Sequence, residues 1–254
     1  MFLEKLKSIE PARLYTAGVL VFVLLLVLLA HTFFIIWAFL GIFYIIAFYE
    51  ATKLYGSEGR GIYVAAVAIW ILAAFSAAPL EGTFLIFVVL ASYQAFTKNG
   101  SHKELMPLIY PTIPFLFLLS LYTSYGIGAI VWLIFIVALT DTGAFIGGKM
   151  FGSRKFCETS PNKTQEGVFI GVATATLIGT LFGLSVVNFE WAFIITVLTS
   201  LASVFGDLYE SYLKREAGVK DSGTIFPGHG GVLDRVDGFM FGGIVMLVCL
   251  RFVG

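Results

Sequence analysis

Three aspartates in the last third of the sequence are spaced so that they could hold a metal ion. Asp207 ends one long apolar run, and Asp234 and Asp237 stand three residues apart where the next run begins. Mg²⁺ prefers one or two carboxylates together with waters and substrate phosphates. We therefore predict a Mg²⁺ site at these aspartates, with Asp141 at the end of an earlier apolar run as a further contributor. Two acidic residues could bridge two cations, which allows a second, monovalent ion such as K⁺.

Basic and small residues surround these aspartates between positions 206 and 238. Ser211 and Lys214 follow Asp207 at i+4 and i+7, so the three share one face of a continuing helix. Cationic side chains neutralise phosphate oxygens, and glycines and a helix N-terminus can offer backbone N–H groups to an anion. The pattern predicts phosphoryl-group chemistry. The predicted catalytic residues are Lys214, Asp234, Arg235 and Asp237, and the predicted phosphate-binding residues are Ser211, Arg215, Lys220, Gly228, His229, Gly230 and Gly231.

Each of these side chains also has a purely structural interpretation. An aspartate can cap a helix or pair with a nearby cation, Ser211 can bond its own helix backbone, and Lys214 can pair with Glu210 four residues earlier. Asp207 is the hardest to explain in this way, because an acid at membrane depth is unfavourable without a partner. A phosphate monoester is largely ionised near neutral pH and needs little base. We therefore interpret His229 as a phosphate-binding or loop-ordering residue.

Membrane-spanning helices are the elements that must position these residues. The 254-residue chain is 59% hydrophobic and 13% charged, with a mean hydropathy of +0.94. Its apolar runs are long and do not alternate in the way that the strands of a membrane barrel do. We predict an all-α integral membrane protein, a single domain over residues 1–254 that forms a polytopic bundle of about nine transmembrane helices. The first run is interpreted as a retained helix rather than a signal peptide.

The apolar runs predict nine spans, of which the fourth to the sixth are short. The fifth holds Pro107, Pro111 and Pro114, and a proline can kink a helix or mark a re-entrant turn. Removing two adjacent spans would keep both chain ends on their sides, so seven spans is the alternative. The predicted spans are 14–30, 33–49, 61–78, 82–96, 108–121, 126–141, 167–187, 191–206 and 238–253.

Four glycines indicate where these helices pack closely. Gly143 and Gly147 form one small-xxx-small pair, and Gly238 and Gly242 form another. Small residues at this spacing let two helix backbones approach each other in a membrane. We predict close helix contacts at both pairs.

Positive charges predict the orientation of the bundle. With the N-terminus in the cytoplasm, all of the 16 Lys and Arg residues except Arg251 fall on the inner side, as retention of positive charge requires. Two inner segments are long, about 142–166 and 207–237, and they hold most of the acidic residues outside the termini. We predict a multi-pass protein of the cell (inner or plasma) membrane with its active site facing the cytoplasm. The net charge is zero, so nothing indicates binding to nucleic acid.

Two blocks of sequence resemble a known family. Residues 211–237 read SYLKREAGVKDSGTIFPGHGGVLDRVD, and their Ser, Lys-Arg, Lys-Asp, Pro-Gly-His-Gly-Gly and Asp-Arg-x-Asp elements resemble the signature of phosphatidate cytidylyltransferases, also called CDP-diglyceride synthases. DTGAF at 141–145 and SPNKTQEG at 160–167 resemble the family's other cytoplasmic block, which implies Lys163 as a phosphate-binding residue. Asn162 and Ser222 stand where many members carry Lys and Phe. The similarity covers the C-terminal half, and the N-terminal half matches only in character.

This resemblance implies that CTP and phosphatidate react to give CDP-diacylglycerol and pyrophosphate, with Mg²⁺ as cofactor. The implied partners are CTP, phosphatidate and membrane lipids, and a homodimer is left open. Other CTP-dependent enzymes, which act on an ether or polyprenyl lipid phosphate, are the nearest alternative. A transporter would carry ionisable residues at mid-membrane, which the predicted spans lack. A CDP-alcohol phosphotransferase is disfavoured because its Asp-Gly-x-x-Ala-Arg pattern is absent.

Overall fold

The computed structural model describes residues 11–57, 59–76, 79–98, 101–226 and 230–253. Over these residues the chain is helical, apart from loops and two isolated β-bridges. A 3₁₀ helix, His102–Leu108, precedes the longest α-helix. The α-helices are α1 (Pro11–Ala30), α2 (Phe33–Tyr55), α3 (Arg60–Ala73), α4 (Pro79–Thr97), α5 (Thr112–Phe151), α6 (Gln165–Gly183), α7 (Phe189–Glu216) and α8 (Leu233–Val253).

Local side-chain and backbone bonds mark the ends of several helices. Asn188 and Thr164 precede α7 and α6, and their side chains accept hydrogen bonds from the N–H groups of Trp191 and Gly167. Such N-caps satisfy donors that have no partner inside the helix. Gly56 ends α2 in the left-handed conformation, with φ 65°, which favours glycine.

Six of the described helices are long and apolar enough to cross a membrane: α2, α4, α5 with its 3₁₀ turn, α6, α7 and α8. Two shorter apolar stretches, Gly18–Ala30 and Gly61–Ala73, lie in α1 and α3. Helices satisfy their backbone polar groups internally, which lipid requires. The structure therefore confirms an all-helical polytopic membrane protein. The number of nine spans is not confirmed.

The helix α5 folds back on itself at Gly126, where φ is 72° and ψ is −169°. A Cβ atom added to Gly243 would lie 2.5 Å from Leu118 and 3.5 Å from Leu133. In a straight helix, two residues fifteen positions apart would be separated by about 22 Å. The chain must therefore run out along 112–125 and return along 127–151. These two arms take the place of the fifth and sixth predicted spans.

Glycines bring α5 against α6, as the small-residue spacing predicted. A Cβ atom added to Gly143 would lie 2.9 Å from Cα of Gly171, and one added to Gly147 would lie 2.7 Å from Cβ of Ile170. Such distances leave no room for a methyl group, so the two backbones are in contact. The second pair, Gly238 and Gly242, packs α8 against α7, and both predicted contacts are confirmed.

One end of the bundle collects the loops between α5 and α6 and between α7 and α8, and we call it the site end. These loops cover 152–164 and 217–232. They are shorter than the predicted segments 142–166 and 207–237, because α5, α7 and α8 continue beyond their apolar stretches. Helical hydrogen bonds do not stop where hydropathy falls. The C-terminal end of α2 and the N-terminal ends of α6 and α8 also lie here.

Candidate active site

The backbones of α7 and α8 touch at the site end, and this contact places two predicted aspartates close together. A Cβ atom added to Gly206 would meet the carbonyl oxygen of Asp237 and would lie 3.1 Å from Cβ of Phe241. Only glycine allows the helices to approach this closely. Asp207, the next residue along α7, therefore lies beside the first turns of α8.

Asp141, Asp207 and Asp237 form an acidic cluster whose members come from α5, α7 and α8. The carboxylate of Asp237 lies within electrostatic range of Asp207 and Asp141, and Asp141 lies within range of Asp207. Lys163, from the loop before α6, offsets this like charge, since its Nζ atom is 2.6 Å from Oδ2 of Asp207. The Ser211 hydroxyl donates to Oδ1 of Asp207 at 3.3 Å. The structure thus brings together residues from both predicted cytoplasmic segments.

A polar cavity of about 420 Å³ opens beside this acidic cluster. Asp141 and Asp207 line it together with two cationic side chains, Lys149 and Lys163. Small-molecule sites commonly have volumes of this order. The Lys163 ammonium is paired with Asp207, and the Lys149 ammonium lies 3.8 Å from the centroid of the Phe145 ring. A phosphate that enters the cavity would offer both ammonium groups a new partner. The other lining residues are Ala144, Phe145, Gly148, Asn162, Thr164, Val168 and Val204.

Asp234 has a different set of partners from the other predicted metal ligands. Its Oδ1 atom lies 2.6 Å from Nζ of Lys214, and its Oδ2 atom accepts bonds from the Ser222 hydroxyl at 2.8 Å and the Gly231 N–H at 2.7 Å. Lys214 also lies 2.5 Å from Glu210, whose side chain is fully buried. The i,i+4 spacing of Glu210 and Lys214 had predicted this pair as the alternative to phosphate binding by Lys214. Phosphate binding by Lys214 stays a prediction.

Three N–H groups at the N-terminus of α8, which was predicted to offer donors to an anion, already bond to carboxylates of the protein. The N–H groups of Val232 and Leu233 donate to the carboxylate of Glu50 at 3.0 and 2.8 Å. The N–H of Gly231 donates to Asp234. Two carboxylates of the protein therefore accept these three N–H groups, and anion binding at this helix end stays a prediction.

The acidic cluster determines how Mg²⁺ could bind. Across the described ranges, no group of three or more His, Cys, Asp or Glu side chains is placed to hold a metal ion. The four predicted ligands are therefore not gathered at one point, and Asp234 bonds to Lys214 and Ser222 instead. Mg²⁺ needs only one or two carboxylates, because waters and substrate phosphates complete its shell. Binding of Mg²⁺ by Asp207 and Asp237 stays a prediction.

The remaining predicted phosphate-binding residues lie around the loop 217–232. Arg215 and Lys220 are exposed, and the Arg215 guanidinium donates to the carbonyl of Val219 at 3.3 Å. Gly230 adopts φ 80°, which only glycine takes without strain. Gly228 and His229 lie outside the described residues. The phosphate-binding roles of this group stay predictions.

A second cavity, the apolar cavity, has a volume of about 240 Å³ and adjoins the start of α8. Of the described side chains that line it, only that of Arg235 carries a charge. Arg235 also lies within electrostatic range of Asp141, in the acidic cluster. The other lining residues are apolar and come mainly from α1, α2, α5 and α8: Leu20, Val21, Leu24, Val27, Leu28, Ile36, Phe39, Leu40, Phe43, Phe115, Leu118, Ile130, Leu133, Ile134, Val236 and Phe239.

Two buried carboxylates at the site end were not assigned a role from the sequence. Glu50 and Glu210 are 3% and 0% exposed. Glu210 had entered only as the alternative partner of Lys214. Glu50 follows a predicted span directly, and an acid at that depth is unfavourable without a partner. That signal could have marked Glu50, but nothing local names its partners, which lie more than 170 positions later.

Comparison with known proteins connects this site to one activity. The model of the cytidylyltransferase family matches residues 11–253. A phosphatidate cytidylyltransferase of Helicobacter pylori strain J99 is 42% identical over 247 residues, which are 96% of this chain and 93% of that protein. Those of Staphylococcus saprophyticus and Staphylococcus aureus strain COL are 42% and 46% identical over 64% and 61% of this chain, and over 65% and 62% of their own lengths.

Proposed function

The chain belongs to the cytidylyltransferase family, and we propose that it transfers CMP from CTP to phosphatidate, giving CDP-diacylglycerol and pyrophosphate. One observation carries this proposal: Arg235 lines the apolar cavity and lies within electrostatic range of Asp141 in the acidic cluster. A lipid phosphate joins an anionic head to acyl chains. Arg235 suits such a substrate, because it places a positive charge at the apolar cavity and near the acidic cluster.

The proposed reaction exchanges one phosphorus–oxygen bond for another. An oxygen of the lipid phosphate attacks the α-phosphorus of CTP, and the bond to the β-phosphate oxygen breaks, so that pyrophosphate leaves with its electron pair. The attacking phosphate is largely ionised near neutral pH and needs no strong base. Positioning and charge stabilisation therefore provide most of the catalysis.

The described residues divide these tasks between the two cavities. In the proposal, the polar cavity holds the CTP phosphates, and Lys149 and Lys163 face their oxygens. Lys163, paired with Asp207 in this structure, turns to the triphosphate when it binds. Asp207, which lines the polar cavity, and Asp237 near it would hold Mg²⁺, and the bound ion would offset negative charge on the phosphate oxygens. Arg235 holds the lipid phosphate, and the acyl chains occupy the apolar cavity.

We place the site end at the cytoplasmic face of the cell membrane. Lys and Arg are concentrated in the loops at this end and in the connections that precede it, while Arg251 lies near the far end of α8. Retention of positive charge in the cytoplasm supports this orientation. Soluble CTP then enters the polar cavity from the cytoplasm, and phosphatidate enters from the adjoining leaflet.

The test is a reconstituted reaction with purified protein in mixed micelles. CTP labelled at the α-phosphate is mixed with phosphatidate and Mg²⁺, and lipid-linked label and pyrophosphate are measured together. We expect the two products in equal amounts, and neither with diacylglycerol, which lacks the attacking phosphate. An Asp237→Asn variant controls for a contaminating activity.

Parallel reactions with polyprenyl phosphate and with an ether analogue of phosphatidate test the lipid specificity. Labelling of polyprenyl phosphate without labelling of phosphatidate would assign the chain to a different lipid phosphate. Label transfer that persists unchanged in Asp237→Asn would mean that the acidic cluster of this chain does not carry the reaction, and the assay would then measure a contaminating activity or another site.

A further inference from the structure

Glu50 is a buried carboxylate that contacts the signature segment from a distant part of the chain. It lies near the C-terminal end of α2 and is 3% exposed. Its Oε1 atom accepts the N–H of Val232 at 3.0 Å, and its Oε2 atom accepts the N–H of Leu233 at 2.8 Å. The Ser222 hydroxyl oxygen, which donates its one proton to Asp234 at 2.8 Å, also lies 3.3 Å from Oε2. One side chain thus holds both the loop 217–232 and the start of α8.

These contacts stabilise the N-terminal end of α8. The first N–H groups of a helix have no partner within it, and its N-terminus carries partial positive charge. A carboxylate satisfies both, and here it comes from another helix rather than from a local cap. Asp234 accepts from the backbone and hydroxyl of Ser222 at 3.0 and 2.8 Å, so Ser222 lies between the two carboxylates.

Two glycines leave the space that the Glu50 side chain fills. A Cβ atom added to Gly231 would lie 2.6 Å from Cδ of Glu50, and one added to Gly223 would lie 2.8 Å from the same atom. Real side chains do not come this close, so neither position accepts a larger residue while Glu50 stays in place. Both glycines belong to the signature segment, and Glu50 belongs to the half of the chain that the signature does not cover.

We propose that Glu50 is a positioning residue for the reaction: by holding Ser222 and the N–H groups of Val232 and Leu233, it fixes the first turn of α8. Arg235 and Asp237 lie within that turn and the next, about 6 Å or less along the helix axis from Leu233. This inference rests on the proposed function, since it assigns Glu50 a role in presenting the residues of that site. A displacement of about 1 Å at a reacting group can lower a rate about 100-fold.

Three substitutions test this role at one position. Glu50→Gln keeps the volume but turns an amide donor toward a backbone donor, Glu50→Ala removes all the contacts, and Glu50→Asp keeps two acceptors on a shorter chain. We expect kcat to fall about 100-fold in Glu50→Gln and Glu50→Ala, and to recover about tenfold in Glu50→Asp. The KM for CTP and phosphatidate should change less than about threefold, because the loss concerns the transition state. Glu190→Gln, an exposed carboxylate on α7, is the matched control and should behave as wild type.

Hydrogen–deuterium exchange measures how well the backbone amides of the loop and of the start of α8 are protected, and it does not depend on turnover. In Glu50→Gln the amides of residues 222–233 should exchange faster, while those in the middle of α7 keep their wild-type protection. The thermal unfolding midpoint in detergent should stay close to that of wild type. A purely structural Glu50 would give the opposite pattern: a lower midpoint, with wild-type kcat for the protein that remains folded.

Each result decides the role of Glu50. If Glu50→Gln cannot be purified in folded form, or if its kcat is unchanged, the role of Glu50 is in the stability of the fold. Either result overturns the proposal. Unchanged exchange at residues 222–233 overturns it as well. If wild-type protein makes no CDP-lipid, the proposed function fails, and the exchange data still determine whether Glu50 holds the start of α8.

Discussion

Asp207 and Asp237 lie where the backbones of α7 and α8 meet, and their negative charges are offset by the ammonium of Lys163. We expect Asp207→Asn and Asp237→Asn each to lower kcat about 100- to 1000-fold, because each removes a charge that acts on the phosphates through a cation. The double variant should cost little more than the worse single variant, since residues that act as a unit are not additive.

Magnesium titrations check this prediction. The Mg²⁺ concentration for half-maximal rate should rise in both single variants, and the thermal midpoint should not fall. Glu216→Gln, which changes an exposed carboxylate near the end of α7, is the control. A variant with the wild-type magnesium dependence would remove its aspartate from the cation site.

Lys214 contacts two carboxylates, so its replacement should affect both stability and turnover. Lys214→Ala leaves the buried carboxylate of Glu210 without its cation, which should reduce stability by about 3–5 kcal/mol. Adding Glu210→Gln removes the unpaired charge and should restore much of the thermal midpoint. If Lys214 also acts on phosphates, kcat stays about 30-fold or more below wild type in the double variant.

Thermal unfolding and kcat, measured on the same preparations, separate the two roles of Lys214. Lys214→Arg, which keeps the charge, should retain part of the activity. Full recovery of kcat in the Lys214→Ala/Glu210→Gln variant would show that Lys214 acts only through the fold.

Among the helices, α5 and α6 carry the loop that presents Lys163, and their close contact depends on glycine. A Cβ atom added to Gly171 would lie 2.5 Å from the carbonyl oxygen of Thr140 and 2.9 Å from the backbone nitrogen of Ala144. Gly171→Ala should therefore separate the helices, reduce stability by about 1–3 kcal/mol and lower kcat.

Gly82→Ala is the matched control, because a Cβ atom there meets nothing within 4 Å. It should be neutral or slightly stabilising, since alanine favours helix over glycine by about 1 kcal/mol. Thermal midpoints and kcat of the two variants provide the comparison. Equal midpoints would mean that the contact between α5 and α6 is looser than the structure shows.

At the scale of helices, the sequence predicted the features that depend on residues close together in the chain. Apolar runs and glycine spacing predicted the helices and two of their contacts. Of the four aspartates predicted for one metal site, Asp141, Asp207 and Asp237 lie within electrostatic range of one another, while Asp234 bonds to Lys214 and Ser222. The fold-back at Gly126 appeared only as a boundary between two spans. The contacts of Glu50 could not be predicted, because they join α2 to α8 and depend on how the whole bundle closes. The contacts by which Glu50 and Asp234 engage three N–H groups at the start of α8 were not foreseen either.

At the scale of the whole molecule, the two cavities provide separate environments for the two kinds of group in the proposed reaction. One suits the charged phosphates, and the other suits the acyl chains of the lipid. The polar cavity is lined by residues near the loops, while the apolar cavity is lined by helix faces from α1, α2, α5 and α8. Arg235 lines the apolar cavity and lies within electrostatic range of Asp141, which lines the polar cavity. The helices therefore have to hold the start of α8 at one depth, which is the depth at which a lipid phosphate meets water.

The orientation of the bundle provides the last prediction. The loop after α7 and the cap after α2 lie at the site end, because Glu50 of α2 bonds to the start of α8, whereas the connection before α7 lies at the opposite end. Cys157 and Cys249 are first replaced, and single cysteines are then introduced at Gly56 and Thr224. These cysteines should react with a membrane-impermeant maleimide only after the cells are permeabilised.

A cysteine at Asn188 should react in intact cells. Thr224 replaces Ser222 as the labelling position because Ser222 is 6% exposed and bonds to Asp234. Retention of positive charge underlies the expectation, since all but one of the 16 Lys and Arg residues fall on the inner side in this orientation. Labelling of Thr224→Cys in intact cells would place the polar cavity outside, where CTP is not supplied, and would contradict both the orientation and the proposed route of the nucleotide.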